Sequence, residues 1–133
     1  MVCIHCGSET RVINSRFQKR ANRVWRRRKC NTCSAIYTTE ETALYSAAWA
    51  IKSRSGKLIP FSRDKLLLSL YKSCEHRKNA LEDASGLTDT VIKQLMTHAK
   101  SSDLDIKLIQ QITQVALNRF DKAASVHYQA FHS

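Results

Sequence analysis

The hydrophobic pattern of this chain changes period near residue 45. Upstream, β-branched and aromatic residues sit in short stretches bounded by polar turns; downstream, apolar residues recur three and four apart. Residues 11–16 (Arg-Val-Ile-Asn-Ser-Arg) predict a strand, and the polar, basic residues 17–22 a turn. Residues 23–30 (Arg-Val-Trp-Arg-Arg-Arg-Lys-Cys) predict the return strand, and residues 36–39 a third. Strand alternation then puts Val24, Arg26 and Arg28 on the face of Cys30, with Trp25, Arg27 and Lys29 opposite. Further on, residues 43–51 form an apolar run around Trp49, residues 52–57 a cationic turn, and residues 58–61 a strand ending at Pro60. Together they predict a hairpin. Ser62 is placed to cap a helix whose apolar face is Leu66, Leu70 and Cys74, with Leu67 and Tyr71 beside it. Residues 76–86 read as a polar loop. Thr88 or Thr90 is expected to cap a second helix carrying Val91, Ile92, Leu95, Met96 and Ala99. Asp105 is expected to cap a third, with Ile109, Ile112, Ala116 and Phe120 on one side. Asp121 should open a short last helix ending near Phe131.

Cysteine changes the picture of the first segment. Cys3-x-x-Cys6 is answered, 23 residues on, by Cys30-x-x-Cys33. Paired x-x spacing favours two knuckles closing on one tetrahedral zinc over two disulfides or four unrelated buried thiols. Gly7, free to take positive φ, lets the backbone curl under the metal, and Ser34 holds the matching place in the second knuckle. Cys74 is a fifth cysteine among apolar residues, read as a small buried hydrophobe. With 133 residues and 43% hydrophobic content, the chain can hold a metal-held module plus one modest core. No apolar run approaches membrane length, and the expected compartment is the reducing cytosol.

Charge then points to a partner. The net charge is +11, and residues 1–45 carry nine Lys/Arg against three Glu, more than half of that excess. The run Arg26-Arg27-Arg28-Lys29 repels itself, and a phosphate backbone neutralises such a run with release of counterions; a solvated basic strand is the plainer reading. Trp25 and Tyr37 either add stacking or cap the small ribbon. Lys52, Arg54 and Lys57 crowd the hairpin turn and Lys65 follows one turn into the helix. They could hold a triphosphate with Ile51 beneath a base, or simply form a solvated tip. The sequence has no phosphate-binding G-x-x-x-x-G-K-[ST] loop, no paired carboxylates and no histidine constellation with metal spacing, so nothing speaks for an enzyme.

The order of these pieces resembles the NrdR family, bacterial repressors of ribonucleotide reductase genes that couple a zinc ribbon to an ATP-cone domain. The residues that carry the resemblance are Cys3-Ile-His-Cys6-Gly7, residues 10–16, Arg26-Arg27-Arg28-Lys29-Cys30, and Cys33 with Tyr37-Thr38-Thr39-Glu40. It continues through Ile51-Lys52, Gly56, Pro60-Phe61, Arg63-Asp64-Lys65-Leu66 and residues 117–121. The resemblance implies an α+β fold, with a three-stranded zinc ribbon in residues 1–44 and an ATP-cone-like domain, a hairpin plus about four helices, in residues 45–133. It implies one structural zinc on Cys3, Cys6, Cys30 and Cys33. Operator DNA would be met by Arg16, Arg26, Arg27 and Arg28, and ATP or dATP by Ile51, Lys52, Arg54 and Lys65. Self-association through the cone would couple nucleotide to DNA affinity. The chain departs from the family where Trp25 replaces an arginine, and where Ser125, His127 and His132 stand at tyrosine, arginine and tyrosine places. A constitutive nucleic-acid-binding ribbon with a cone used only for oligomerisation, or a protein-binding adaptor, are the alternative readings.

Overall fold

A computed structural model describes residues 1–132. The chain divides into two units, Met1–Ala43 and the remainder from Leu44. The first is a single antiparallel sheet in the order β1 (Thr10–Gln18), β2 (Arg23–Cys30), β3 (Ile36–Glu41). β1 and β3 run longer than residues 11–16 and 36–39, and β2 has the expected bounds. The register pairs Arg16 with Trp25 and Asn14 with Arg27. Between Val12 and Asn14 it shifts by one residue, a bulge at Ile13. That bulge flips the phase of β1, so Val12 faces the side of Arg28 while Asn14 and Arg16 face the side of Arg27. Only two residues of this unit are buried, Cys3 and Cys30. A sheet with no apolar core must be held by something else, and the cysteines are what it has.

The second unit is built on a different principle. A short helix α1 (Tyr45–Ala48) leads into β4 (Ala50–Lys52), which pairs antiparallel with β5 (Leu58–Pro60). The apolar run of residues 43–51 is therefore only partly strand. The helical turn brings Tyr45 and Trp49 together, ring centroids 4.8 Å apart, and both meet the buried Phe61 edge-on. Helices α2 (Arg63–Ser73), α3 (Ala80–His98), α4 (Ile106–Phe120) and α5 (Lys122–His132) follow. Their shared core includes Leu66, Leu70, Cys74, Leu87, Val91, Leu95, Ile109, Leu117 and Tyr128.

Three of the expected caps are present. Ser62 Oγ accepts from the Lys65 N–H (3.2 Å), Asp105 Oδ1 from Lys107 (2.8 Å), and Asp121 Oδ1 from Ala124 (3.1 Å). Other expectations are corrected. α3 begins at Ala80, not at Thr88 or Thr90, and takes in much of the stretch read as a loop. Ala84, Leu87, Val91 and Leu95 form one buried stripe, and Gly86 lies on its exposed side. Thr88 caps nothing: its hydroxyl donates to the Ala84 carbonyl (2.7 Å) inside the helix. On α4 the buried line is Ile109, Thr113 and Leu117, while Phe120 is exposed. A third strand, β6 (Asp103–Asp105), joins β4 in parallel through the buried Leu104.

Candidate metal centre and nucleic-acid interface

The two knuckles bring four sulfur atoms together. Cys3 Sγ lies 3.7 Å from Cys33 Sγ, and Cys6 Sγ 3.5 Å from Cys30 Sγ. All four sulfurs fall within 4.8 Å of one another. A tetrahedral zinc with bonds of about 2.3 Å needs sulfurs about 3.8 Å apart, so the donor set fits one ion with only small shifts of the side chains. Backbone geometry sets this up. Gly7 (φ 76°) and Ser34 (φ 61°) both take the left-handed conformation that curls each knuckle. Backbone N–H groups of His5, Thr32 and Cys33 point at Cys3 and Cys30 sulfurs, each at 3.3 Å. Such donors stabilise thiolate, the form a metal takes. Hydrogen bonds from Ser8 hold the Cys6 thiol down at about 6. At Cys33 the Ala35 N–H favours thiolate, but burial and the three neighbouring thiols outweigh it and push the group up to about 12. Four thiols this close compete for protons, and a dication removes the competition.

The sheet sorts the arginines onto two faces. Arg16 and Arg27 share the outer face with Trp25, Asn14 and Thr38, all exposed. They line a shallow pocket of about 270 Å³. Among the described residues neither guanidinium has an ion pair or side-chain hydrogen bond. The same face carries Lys29 and Arg11, the latter donating to Asn31 Oδ1 (3.2 Å). Its carboxylate, Glu40, is occupied by Arg23 (3.3 Å) and by the Trp25 indole N–H (3.2 Å). Arg26 and Arg28 lie on the inner face and are half-buried. Arg26 donates to Ser15 Oγ (3.1 Å) and pairs with Glu41 (3.5 Å). Arg28 donates to Thr10 Oγ1 (3.3 Å), with its Nε buried and unpartnered. Tyr37 shares that face and donates to the Val2 carbonyl (3.0 Å). Asn14 and Thr38 were not signalled by the sequence. The bulge at Ile13 decides the place of Asn14, and nothing in the residue pattern marks it; the β2–β3 register sets Thr38 opposite Arg27.

In the second unit, Ile51 and Lys52 sit on β4, the central strand, with Ile51 packed against the core. Arg54 lies in the turn, where Ser53 N–H donates to Lys57 carbonyl (2.9 Å) and Gly56 takes φ 85°. Lys65 occupies the first turn of α2, its side chain exposed. A larger, mostly apolar groove of about 660 Å³ runs between α3 and α4, lined by Leu87, Leu108, Ile112, Val115 and Phe120 among others. None of the four nucleotide candidates lines it. Of the residues at the altered family places, Ser125 is buried, His132 half-buried and His127 exposed, and each meets a neighbouring side chain. Ser125 takes the Gln114 carboxamide on its hydroxyl and carbonyl, His127 lies edge-on to His76 at 5.1 Å, and His132 stacks on Tyr128 at 4.0 Å.

Comparison with known proteins agrees with both halves. The model of the NrdR-like transcriptional repressor N-terminal domain, a zinc ribbon, matches residues 1–41. The ATP cone domain model matches residues 50–132. The transcriptional repressor NrdR of Thermosipho melanesiensis is 34% identical over 134 residues, covering 100% of this chain and 85% of that protein. That of Syntrophotalea carbinolica is 31% identical over 133 residues, covering 99% and 83%. These relatives are named as repressors and not as enzymes, and no helix among the described residues is long and apolar enough to cross a membrane. The four-sulfur ribbon and the hairpin-and-helix unit that follows it in the chain thus have a common explanation: the chain belongs to the NrdR family of transcriptional repressors.

Proposed function

We propose that the chain is a zinc-dependent repressor that binds duplex DNA through its ribbon, with ribonucleotide reductase genes as its target. ATP or dATP on the cone sets its oligomeric state and so its DNA affinity. The observation that carries the DNA half is the outer face of the sheet, where Arg16 and Arg27 stand exposed with no partner for their charge. Unpaired guanidiniums beside Lys29 form a field that phosphates satisfy, with counterion release supplying the free energy. Arg26 and Arg28, turned to the other face and bonded within the ribbon, contribute less. Zinc supplies no chemistry here beyond holding the strands in register. The cysteines orient the sheet, and the sheet orients the arginines.

The nucleotide half is carried by the exposed Lys52, Arg54 and Lys65 around the hairpin, three cations without a carboxylate partner. They suit a triphosphate, and Ile51 offers an apolar seat for a base. Calorimetric titration with ATP and with dATP should show saturable binding that Lys52→Ala with Lys65→Ala weakens by at least tenfold. The test of the whole reading is a titration of zinc-loaded protein against DNA from upstream of the host's ribonucleotide reductase genes and against a shuffled fragment. It should be run without nucleotide, with ATP and with dATP, while light scattering follows oligomeric state. A preference for the upstream fragment that changes with nucleotide is expected. Equal binding to both fragments contradicts the target, and a preference indifferent to nucleotide contradicts the switch.

A further inference from the structure

The pocket on the outer face holds one residue that phosphate binding does not require. Trp25 is 42% exposed, in a unit with no apolar core that needs it. Its ring is held rather than loose: the indole N–H donates to Glu40 (3.2 Å), and Arg23 takes the same carboxylate oxygen (3.3 Å). Across the strands it sits beside Arg16, and the next pair on that face is Asn14 with Arg27, followed on β3 by Thr38. Most of the polar groups around it donate, and the Thr38 hydroxyl can do either. Asn14 Oδ1 already accepts from the Ser15 N–H (2.9 Å), leaving its carboxamide N–H₂ available to donate, and both guanidiniums can only donate. The one carboxylate nearby is occupied.

The geometry points to a base-reading pocket: Trp25 packs against a sugar or base edge and the Asn14 carboxamide donates to an acceptor-rich purine edge in duplex DNA, the N7 or O6 of guanine, while Arg16 and Arg27 hold the flanking phosphates. Guanine presents two adjacent acceptors in the major groove, whereas cytosine presents an amino donor that this lining would repel. The phosphate-neutralising role and the base-reading role then fall on one face, and Trp25 and Asn14 set specificity without adding charge. This inference rests on the DNA-binding reading above and assigns which surface of the ribbon meets the bases.

The experiment uses full-length, zinc-loaded protein carrying Trp49→Phe, so that Trp25 is the sole tryptophan. Its probe is the duplex from upstream of the ribonucleotide reductase genes, made with guanine and again with 7-deazaguanine, which lacks the N7 acceptor. DNA should change Trp25 emission, and the 7-deaza duplex should bind roughly 5- to 100-fold more weakly, the span of one base contact. Asn14→Ala and Trp25→Phe, with zinc content unchanged, should lose part of that discrimination while keeping the salt dependence. Salt-dependent binding with unchanged emission, or equal affinity for both duplexes, overturns the pocket and leaves the DNA-binding ribbon standing. Absence of binding to any duplex overturns both.

Discussion

Asp121 shows how much one side chain organises in the helical unit. One oxygen caps α5 through the Ala124 N–H (3.1 Å), and the other accepts from Arg77 (2.8 Å) and His76 (3.1 Å). Arg77 also reaches Asp83 (2.7 Å) and lies over the Phe120 ring, so α3, α4 and α5 meet at one guanidinium. The Arg77 hydrogen bond, then the Ala124 N–H and then His76 hold the Asp121 carboxyl well below the usual carboxylate range. A depressed carboxylate stabilises the fold above its unfolded-state pKa of about 3.9, and that stabilisation is lost as pH falls through the folded value. Asp121→Asn should therefore melt lower than the parent at pH 7, with the difference shrinking once pH drops below about 4. Thermal melts followed by circular dichroism from pH 7 to pH 2.5 check this, and a difference independent of pH would exclude the carboxylate charge as the cause. At this scale the sequence was informative where a side chain acts on its own neighbourhood. Ser62, Asp105 and Asp121 cap as their positions imply. It was silent where a residue's role depends on a distant partner. That Arg26 meets Ser15 and Glu41 while Arg27 meets nothing is settled by the registers of β2 with β1 and with β3, and the bulge at Ile13 shifts only the first of them.

At the scale of elements, the ribbon and the helices owe their stability to different things. The sheet buries only two cysteines, whereas the helical unit buries Leu70, Val91, Leu95 and Leu117 completely. Each such side chain contributes about 1.5–3 kcal/mol by leaving water. The ribbon has no comparable source, so its order is coupled to the metal. Chelating zinc should expose residues 1–43 to limited proteolysis and remove the strand signal, while the helical far-ultraviolet signal persists. An unchanged cleavage pattern in residues 1–43 would show that zinc is not what holds the sheet. The elements that escaped the sequence share a physical reason. α3 opens at Asn79 without a side-chain cap, and Gly86 sits within it, so its usual punctuation is missing or misleading. Once Ala84 and Leu87 are counted with Val91 and Leu95, the stripe is continuous. β6 is three residues long and pairs in parallel with a strand some fifty residues away, beyond the reach of local pattern.

In the molecule as a whole, labour is divided between the two units. The cysteines fix the sheet, the sheet presents a cationic outer face, and the helical unit carries an exposed set of cations around its hairpin. Four cysteines at paired spacing, a basic run that ends before residue 45 and a change from strand to helix period were enough to lay out both units. Which face of the sheet is free was not legible, because alternation sorts side chains into two sets without saying which set is engaged. The free set is the one proposed to meet DNA. The most direct measurement is the salt dependence of duplex binding by the zinc-loaded protein, compared with Arg16→Ala/Arg27→Ala and Arg26→Ala/Arg28→Ala. Each phosphate contact contributes about 0.9 to the slope of log affinity against log salt. Loss of the outer-face pair should lower the slope by about 2, and loss of the inner-face pair should lower it less. An unchanged slope on losing Arg16 and Arg27 would contradict the proposal.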